Sequence, residues 1–278
     1  MYFIHSQDDL KLYIPNVLAT IEGEASLYEK MRPDIMLAES WIIDNLIPST
    51  IIDSLPEQLL STARKAVVAY ALYLSVPSLD LVLTPNGFGI VSNQNIAPAS
   101  KERIDRLRAA LLSVRDKAIG ILLKRLPTEM KAWLTSEQAK YYAATLFPTF
   151  DVCALVSNTP TTENIFLKYR QLRANIHFIE QDLEDRYFSS EQMAVFRNEV
   201  ARCNVLDTHR SVINLIESYI IHRLNSGHAP CGEAPLRKAV DIIRNDKDNF
   251  TQWHASDMPN VWNPTVFQNK KQNAGYWF

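Results

Sequence analysis

Two of the seven glycines of this 278-residue chain, Gly87 and Gly89, lie in one short stretch, "TPNGFGIVSNQN". A phosphate-binding loop needs a lysine followed by serine or threonine after its glycines, and a dinucleotide-binding loop needs a third glycine. The residues after Gly89 meet neither condition. The flanking runs "LDLVL" and "FGIVS" are rich in β-prone residues, and Asn86-Gly87 supplies the positive φ angles of a tight turn. The stretch therefore predicts a β-hairpin over residues 81–92.

The histidines do not form a metal-binding pattern. Two-metal carboxylate bundles need Glu-x-x-His pairs on facing helices, and no histidine of this chain follows a glutamate by three residues. The nearest approach is an acidic group on one predicted helix, formed by His177, Glu180, Asp182, Glu184 and Asp185. Its sequence favours a solvated helix end. His209, two residues after Asp207, favours helix capping over metal ligation.

Patterns for nucleophilic catalysis are absent as well. The chain contains no G-x-S-x-G motif, and its cysteines, Cys153, Cys203 and Cys231, are widely spaced and lack a C-x-x-C pair. Cys153 and Cys203 lie in apolar or helical contexts typical of core positions. The sequence therefore predicts no catalytic residue, no metal and no cofactor. It favours a protein that is not an enzyme, with an enzyme of unfamiliar type left open.

The overall composition narrows the partners. The net charge is −2 and the pI about 6.3, so the chain lacks the clustered positive charge that nucleic-acid binding requires. No run of 18 apolar residues is present, so we expect no membrane span. The N-terminus does not resemble a signal peptide, and the cysteine usage is typical of a reducing cytoplasm.

Hydrophobic periodicity predicts a mainly α protein. Helices are expected from Pro33 to about Leu46, from Pro56 to about Ser75, from Ser100 to Leu126, and over Thr162–Asp185, Ser190–Val200, Asp207–Leu224 and Ala234–Trp253. On the long helix after Ser100, the predicted apolar face comprises Ile104, Leu107, Leu111, Val114, Ala118, Ile121 and Leu122. The first fifteen residues are expected to form a hairpin or extended arm, and residues 265–277 a terminal hairpin.

A short internal repeat suggests two related halves. The segment "ESWIIDNL" (Glu39–Leu46) matches "ESYIIHRL" (Glu217–Leu224), and "RKAV" follows each copy, at Arg64–Val67 and Arg237–Val240. Each copy then leads to a predicted hairpin. The sequence therefore predicts helical bundle subunits made of two pseudo-repeated helix–helix–hairpin units, at residues 1–135 and 136–278.

The segment "LVLTPNGFGIVSNQNIAPASKERIDRL" (Leu81–Leu107), together with "ESWIIDNL" and the aromatic C-terminus "GYWF", resembles an uncharacterised structural protein family of Bacteroidetes phages and prophages. The resemblance implies a virion structural protein, made in the cytoplasm of the bacterial host. It implies a head–tail connector, or adaptor, that forms a homo-oligomeric ring at the neck. Its expected partners are the portal protein and tail or neck proteins, and DNA meets it only by passing through the ring.

Extended arms and hairpins suit such a subunit because they add strands to neighbouring proteins. The expected interface residues are those at the tips of the two predicted hairpins: Asn86, Gly87, Phe88, Tyr276, Trp277 and Phe278. Two alternatives stay open. One is a tail terminator or tail completion protein, and the other is a cytosolic helical protein or an enzyme of unknown class.

Overall fold

A computed structural model of the protein describes residues 2–14, 25–84, 87–90, 100–157, 164–226 and 232–262. The chain is mainly helical, as the sequence predicts. The α-helices are α1 Gln7–Lys11, α2 Leu27–Asn45, α3 Glu57–Asp80, α4 Lys101–Glu129, α5 Glu137–Ala143, α6 Val152–Leu155, α7 Ile165–Leu183, α8 Ser190–Ala201, α9 Asp207–Ser226, α10 Ala234–Asn245, α11 Thr251–Ala255 and α12 Met258–Trp262. The predicted terminal hairpin at 265–277 lies outside the described residues.

The N-terminal arm contains a short helix, so the hairpin expected there is wrong. Ser6 caps α1: its side chain accepts a hydrogen bond from the Asp9 amide, and the Asp9 carboxylate accepts one from the Ser6 amide. This reciprocal capping box satisfies amides that a helix start otherwise leaves unpaired. A second capping box explains why α2 begins at Leu27 and not at the predicted Pro33. Ser26 and Glu29 form its capping box, and Pro33 lies inside the helix.

Helix α3 packs against α2 on one side and α4 on the other. Its segment Glu57–Leu79 is long and apolar enough, by length and composition, to cross a membrane, which differs from the expectation from the sequence. Half of the apolar window is buried inside the protein. Packing between two helices therefore accounts for the apolar character of α3.

Two short strands follow α3 directly. Strand β1 (Leu81–Thr84) pairs antiparallel with β2 (Gly87–Ile90), with Leu81 opposite Ile90 and Thr84 opposite Gly87. Gly87 therefore lies in strand β2, whereas the sequence predicts it in the turn with Asn86.

The buried face of α4 agrees only in part with the predicted face. Ala118 and Leu122 are buried as predicted, but Leu107 and Ile121 are 46% and 48% exposed. Leu112, Ile119 and Leu123, which the prediction left out, are buried. Two charged residues, Arg115 and Asp116, also lie on the buried face.

Arg115 and Asp116 join four helices. The Arg115 guanidinium donates to the Asp116 carboxylate at 2.7 and 2.9 Å and to the Asn164 side chain at 2.8 Å. It also lies over the rings of Trp41 on α2 and Tyr70 on α3, with its Cζ 5.2 and 4.8 Å from the ring centroids. The Asp116 carboxylate accepts the first two amides of α7, with the Ile165 nitrogen at 2.7 Å and the Phe166 nitrogen at 3.3 Å.

The C-terminal half contains two departures from the prediction. The helix expected over Ala234–Trp253 is interrupted, since α10 ends at Asn245 and α11 begins at Thr251. Asp246 holds the Asn249 amide and side chain in the intervening turn, which lets Phe250 enter the core. Helix α7 passes into a π-helical turn, Glu184–Phe188, before α8 begins.

The structure does not support two equivalent halves. The carboxylate of Glu39 is buried and accepts the amides of Tyr2, Phe3 and Ile4 at 2.8–3.0 Å. Its counterpart Glu217 receives no hydrogen bond from any residue of the described ranges, and burial with the nearby Glu180 raises its pKa to about 7. The two copies of the repeat therefore lie in unlike surroundings.

The predicted division after residue 135 stays a prediction. Ser136 caps α5 at that point, and one continuous hydrophobic cluster includes residues from both sides of it, among them Leu46, Trp133, Tyr142 and Tyr169. Trp133 also donates its indole hydrogen to the Leu46 carbonyl at 2.7 Å.

We expect Asp116→Ala to lower the free energy of unfolding by about 3 kcal/mol or more, because it leaves a buried guanidinium and two helix amides without their acceptor. Urea unfolding measures the change. The double variant Arg115→Met/Asp116→Leu is the control. Its loss of stability should be smaller than the sum of the losses caused by Arg115→Met and Asp116→Leu separately. A loss below about 1 kcal/mol for Asp116→Ala would show that the pair does not anchor α7.

Cys203 adopts a positive φ of 53° just after α8. Its amide donates to the Val200 carbonyl and the Asn204 amide to that of Glu199, which is the Schellman pattern that favours glycine. We expect Cys203→Gly to raise the free energy of unfolding by about 1 kcal/mol. Arg202→Gly, at a φ of −89°, is the control and should lower it. If Cys203→Gly also destabilises the protein, side-chain contacts of Cys203 outweigh the backbone strain.

Candidate functional site

The pair of strands β1 and β2, called the ribbon below, is the first candidate site. It continues α3 without a break, and apart from the end of α3 no described element makes more than marginal contact with it. Its sheet has only two strands in the part of the chain that the structure describes. The outer edge of each strand therefore has backbone N–H and C=O groups with no strand partner there, the kind of edge to which another chain can add.

Two of the six expected interface residues lie within the described ranges. Gly87 and Phe88 lie on β2, where the backbone is described. Asn86, Tyr276, Trp277 and Phe278 lie outside the described residues. The structure therefore brings only the Gly87–Phe88 part of the expected site into view.

The acidic group on α7 is not the solvated helix end that the sequence predicted. Glu180 is fully buried, accepts the Leu146 amide at 2.8 Å, and pairs with Arg197 at 2.8 Å. Arg197 also pairs with Glu184. Burial raises the pKa of Glu180 in spite of the Arg197 ion pair. These contacts connect α7, α8 and the segment before α6, which indicates a structural role.

His209 is buried and does not cap a helix, in contrast to the prediction. Its Nδ1 lies 2.9 Å from both carboxylate oxygens of Glu199, and its Nε2 lies 2.9 Å from the Asn249 carbonyl. Phe196 and Phe250 pack against the ring. His209 thereby joins α8 and α9 to the turn before α11.

The two cysteines with described surroundings are poor nucleophiles. Burial raises the pKa of the Cys153 thiol to about 11, and its Sγ lies 3.9 Å from the Ile165 carbonyl oxygen. Partial desolvation of the thiol also raises the pKa of Cys203, although the residue as a whole is exposed. Because the thiolate is the reactive form, neither cysteine is activated at neutral pH. Cys203 is exposed, so its predicted core position is wrong, whereas Cys153 is buried as predicted.

A mainly apolar cleft of about 580 Å³ between α4, α6 and α7 is the second candidate site. Gly120, Ile121, Phe150 and Ile165 form much of its lining. An added Cβ at Gly120 would meet no atom within 4 Å, so the cleft is open above this helix. We call it the Gly120 cleft.

Lysines surround the Gly120 cleft. Lys117, Lys124 and Lys168 all line it. Lys168 is held in place by the carbonyls of Cys153 and Val156, at 2.7 and 2.9 Å, and Lys124 pairs with Asp151 at 2.9 Å. Lys117 is exposed and forms no ion pair within the described ranges. Asp116 and Asp151 line the cleft as well, but they pair with Arg115 and Lys124. Lys117 and Lys168 therefore supply positive charge without a carboxylate partner in the described ranges, and the cleft can bind an apolar group that is followed by a negative charge.

A polar hollow of about 440 Å³ lies between the π-helical turn, the start of α8 and α11–α12, and it is lined by Glu184, Asp185, Glu191 and Asp257. No cluster of three or more His, Cys, Asp and Glu residues in the described ranges has the geometry to hold a metal ion.

Comparisons with known proteins give one partial match. Residues 14–143 match the model of a family of unknown function (DUF6712). The match spans α2, α3, the ribbon and α4, and it ends at the last residue of α5. No curated protein and no solved structure matches the chain. The family description assigns no activity and does not mention phages, so the phage role implied by the resemblance stays a proposal.

Three structural features escaped prediction from the sequence: the Arg115–Asp116 pair, the burial of Glu180, and the Gly120 cleft. A charged pair amid apolar residues of one long helix signals the first. A glycine in the interior of that helix signals the third, because glycine there lowers helix stability by about 1 kcal/mol relative to alanine. Nothing in the sequence around Glu180 distinguishes it from its solvated neighbours.

Glu217 makes stability depend on pH. Its pKa is near 7 in the folded protein and 4.5 ordinarily, so the stability associated with its protonated form is complete below pH 4.5 and lost as pH rises through 7. We expect Glu217→Gln to equal the wild type in urea unfolding at pH 4 and to exceed it by about 2–3 kcal/mol at pH 8.

The control is Glu191→Gln. Hydrogen bonds from its own backbone amide and from Ser189 and Ser190 lower the pKa of Glu191, so removing its charge should reduce stability at pH 8, the opposite sign. Equal stability of wild type and Glu217→Gln at both pH values would mean that the Glu217 carboxylate is well solvated.

Proposed function

We propose that this protein is a phage virion structural subunit, a head–tail connector (adaptor) that forms a ring at the neck beneath the portal protein. The observation that carries the proposal is the ribbon. It leaves the end of α3 with two strand edges that no described residue covers, and strand addition is a common way for one chain to bind another.

Other features support the same role. The chain is mainly helical, with a stiff antiparallel packing of α2, α3 and α4 behind the ribbon. The segment Leu81–Leu107, which carries the resemblance to phage structural proteins, contains the ribbon and the start of α4. The described cysteines are not activated. A net charge of −2 suits a ring through which DNA passes without being bound.

In this proposal the helical body forms the wall of the ring, and the ribbon reaches a neighbouring subunit or the portal protein. A two-stranded ribbon is marginally stable on its own, so a partner that completes the sheet stabilises it. The aromatic end Tyr276–Phe278 remains a predicted second arm, because three aromatic side chains at a chain end are poorly solvated.

Electron microscopy tests the proposal. Negatively stained preparations of the purified protein should contain rings, and antibodies against the protein should label phage particles at the neck. Labelling at the far end of the tail would favour the alternative of a tail terminator or completion protein. A monomer that is absent from particles would overturn the structural role and favour a cytosolic protein.

Replacing residues 82–89 by a Gly-Ser linker of equal length tests the ribbon itself. Because no described element other than the end of α3 makes more than marginal contact with the ribbon, we expect the midpoint of thermal unfolding to change by about 2 °C or less. Incorporation into particles should be lost. Deletion of residues 265–278 tests the predicted tail arm separately in the same assay. A ribbon variant that enters particles as the wild type does would remove the main support for the proposal.

A further inference from the structure

The exposed end of α7 carries an aromatic side chain that the fold of one chain leaves uncovered. Phe178 is 72% exposed, the largest exposure of any aromatic residue whose side chain is described. The neighbouring residues Ile176 and Leu183 are buried in the core and hold this part of the helix in place. Phe178 therefore projects from a helix that is already ordered. Binding through Phe178 costs little backbone entropy for that reason.

The Gly120 cleft has the size and chemistry to receive such a side chain. Its volume of about 580 Å³ exceeds that of a phenyl ring, and its lining is mainly apolar. The absence of a side chain at Gly120 leaves open space above α4. Ile121, which is 48% exposed at the edge of the cleft, would lose contact with water when the cleft is filled.

The charges around the two surfaces are complementary. Asp182 follows Phe178 by four residues and so lies on the same face of α7. Lys117 lines the cleft and forms no ion pair within the part of the chain that the structure describes. Asp182 itself contacts Arg186 at 3.3 Å, an exposed pair that water screens.

The geometry points to a head-to-tail contact between two copies of this chain, in which Phe178 of one copy enters the Gly120 cleft of the next. Phe178 cannot reach the cleft of its own chain, because Lys168, which lines that cleft, lies ten residues earlier on the same helix, about 15 Å away. The two contacting surfaces are different, so the contact is heterologous and repeats from copy to copy, and it forms a ring when the rotation between copies closes. The inference rests on the proposed function and supplies part of its subunit interface.

Two variants remove one surface each. Gly120→Leu fills the cleft, and Phe178→Ser removes the projection. Ala110→Leu adds the same bulk to an exposed position of α4, and Leu37→Ser removes an apolar side chain that is 61% exposed on α2. Sedimentation velocity is measured at the concentration where half of the wild type is assembled. Gly120→Leu and Phe178→Ser should each weaken self-association at least tenfold, whereas the two controls should match the wild type.

Mixing the two variants gives the decisive result. A Gly120→Leu copy retains its Phe178, and a Phe178→Ser copy retains its cleft, so the mixture can form one intact contact of this kind. We expect a 1:1 complex that neither variant forms alone and that does not grow through further Phe178–cleft contacts. Failure of the mixture to associate more strongly than either variant would overturn the inference.

The outcomes separate this inference from the proposed function. If both single variants assemble as the wild type does, the cleft is not the interface, while a ring held by other surfaces stands. If the wild type stays monomeric at every concentration and is absent from particles, both ideas fail. Circular dichroism melting confirms that each variant is folded, so that a loss of assembly is not caused by unfolding.

Discussion

The arrangement of the helices depends on the buried pair Arg115–Asp116. Asp116 holds the first amides of α7, while Arg115 lies over Trp41 of α2 and Tyr70 of α3. One charged pair on α4 thereby determines where three other helices lie. Burying two charges is favourable only when hydrogen bonds and close geometry replace the lost water, and here each charged group has several partners. The Gly120 cleft and the start of α7 both lie next to this pair, so the shape of the cleft follows from it.

The same packing explains why the ribbon is a suitable site for a partner. Helix α3 packs against both α2 and α4, and β1 continues α3 without an intervening loop. The ribbon is therefore held in direction at its base, while its outer edges have no strand partner in the described ranges. A rigid base reduces the entropy lost on binding, and unpaired backbone groups supply the hydrogen bonds. The Gly120 cleft, by contrast, recognises side chains.

The two copies of the repeated motif show how far a local pattern can mislead. Glu39 and Glu217 begin eight-residue segments that are identical at five positions, and each segment lies mostly within a helix. The Glu39 carboxylate accepts three amides of the N-terminal arm, whereas the Glu217 carboxylate accepts none from the described residues and its pKa is raised to about 7. The helical propensity is a property of the motif, but the environment of its glutamate comes from residues distant in the sequence.

The sequence by itself determined the helical class and the approximate positions of most helices, because apolar periodicity and capping residues act within a few neighbouring residues. The Ser6 and Ser26 capping boxes were not predicted: the first fifteen residues were expected to form a hairpin or extended arm, and Pro33 suggested a later start for α2. Only the tertiary structure decided which face of α4 is buried, that Glu180 and His209 lie in the core, and that Gly120 opens into a cleft. These features depend on contacts between residues far apart in the chain, whose hydrogen bonds and packing offset the cost of burying polar groups and which no local pattern encodes.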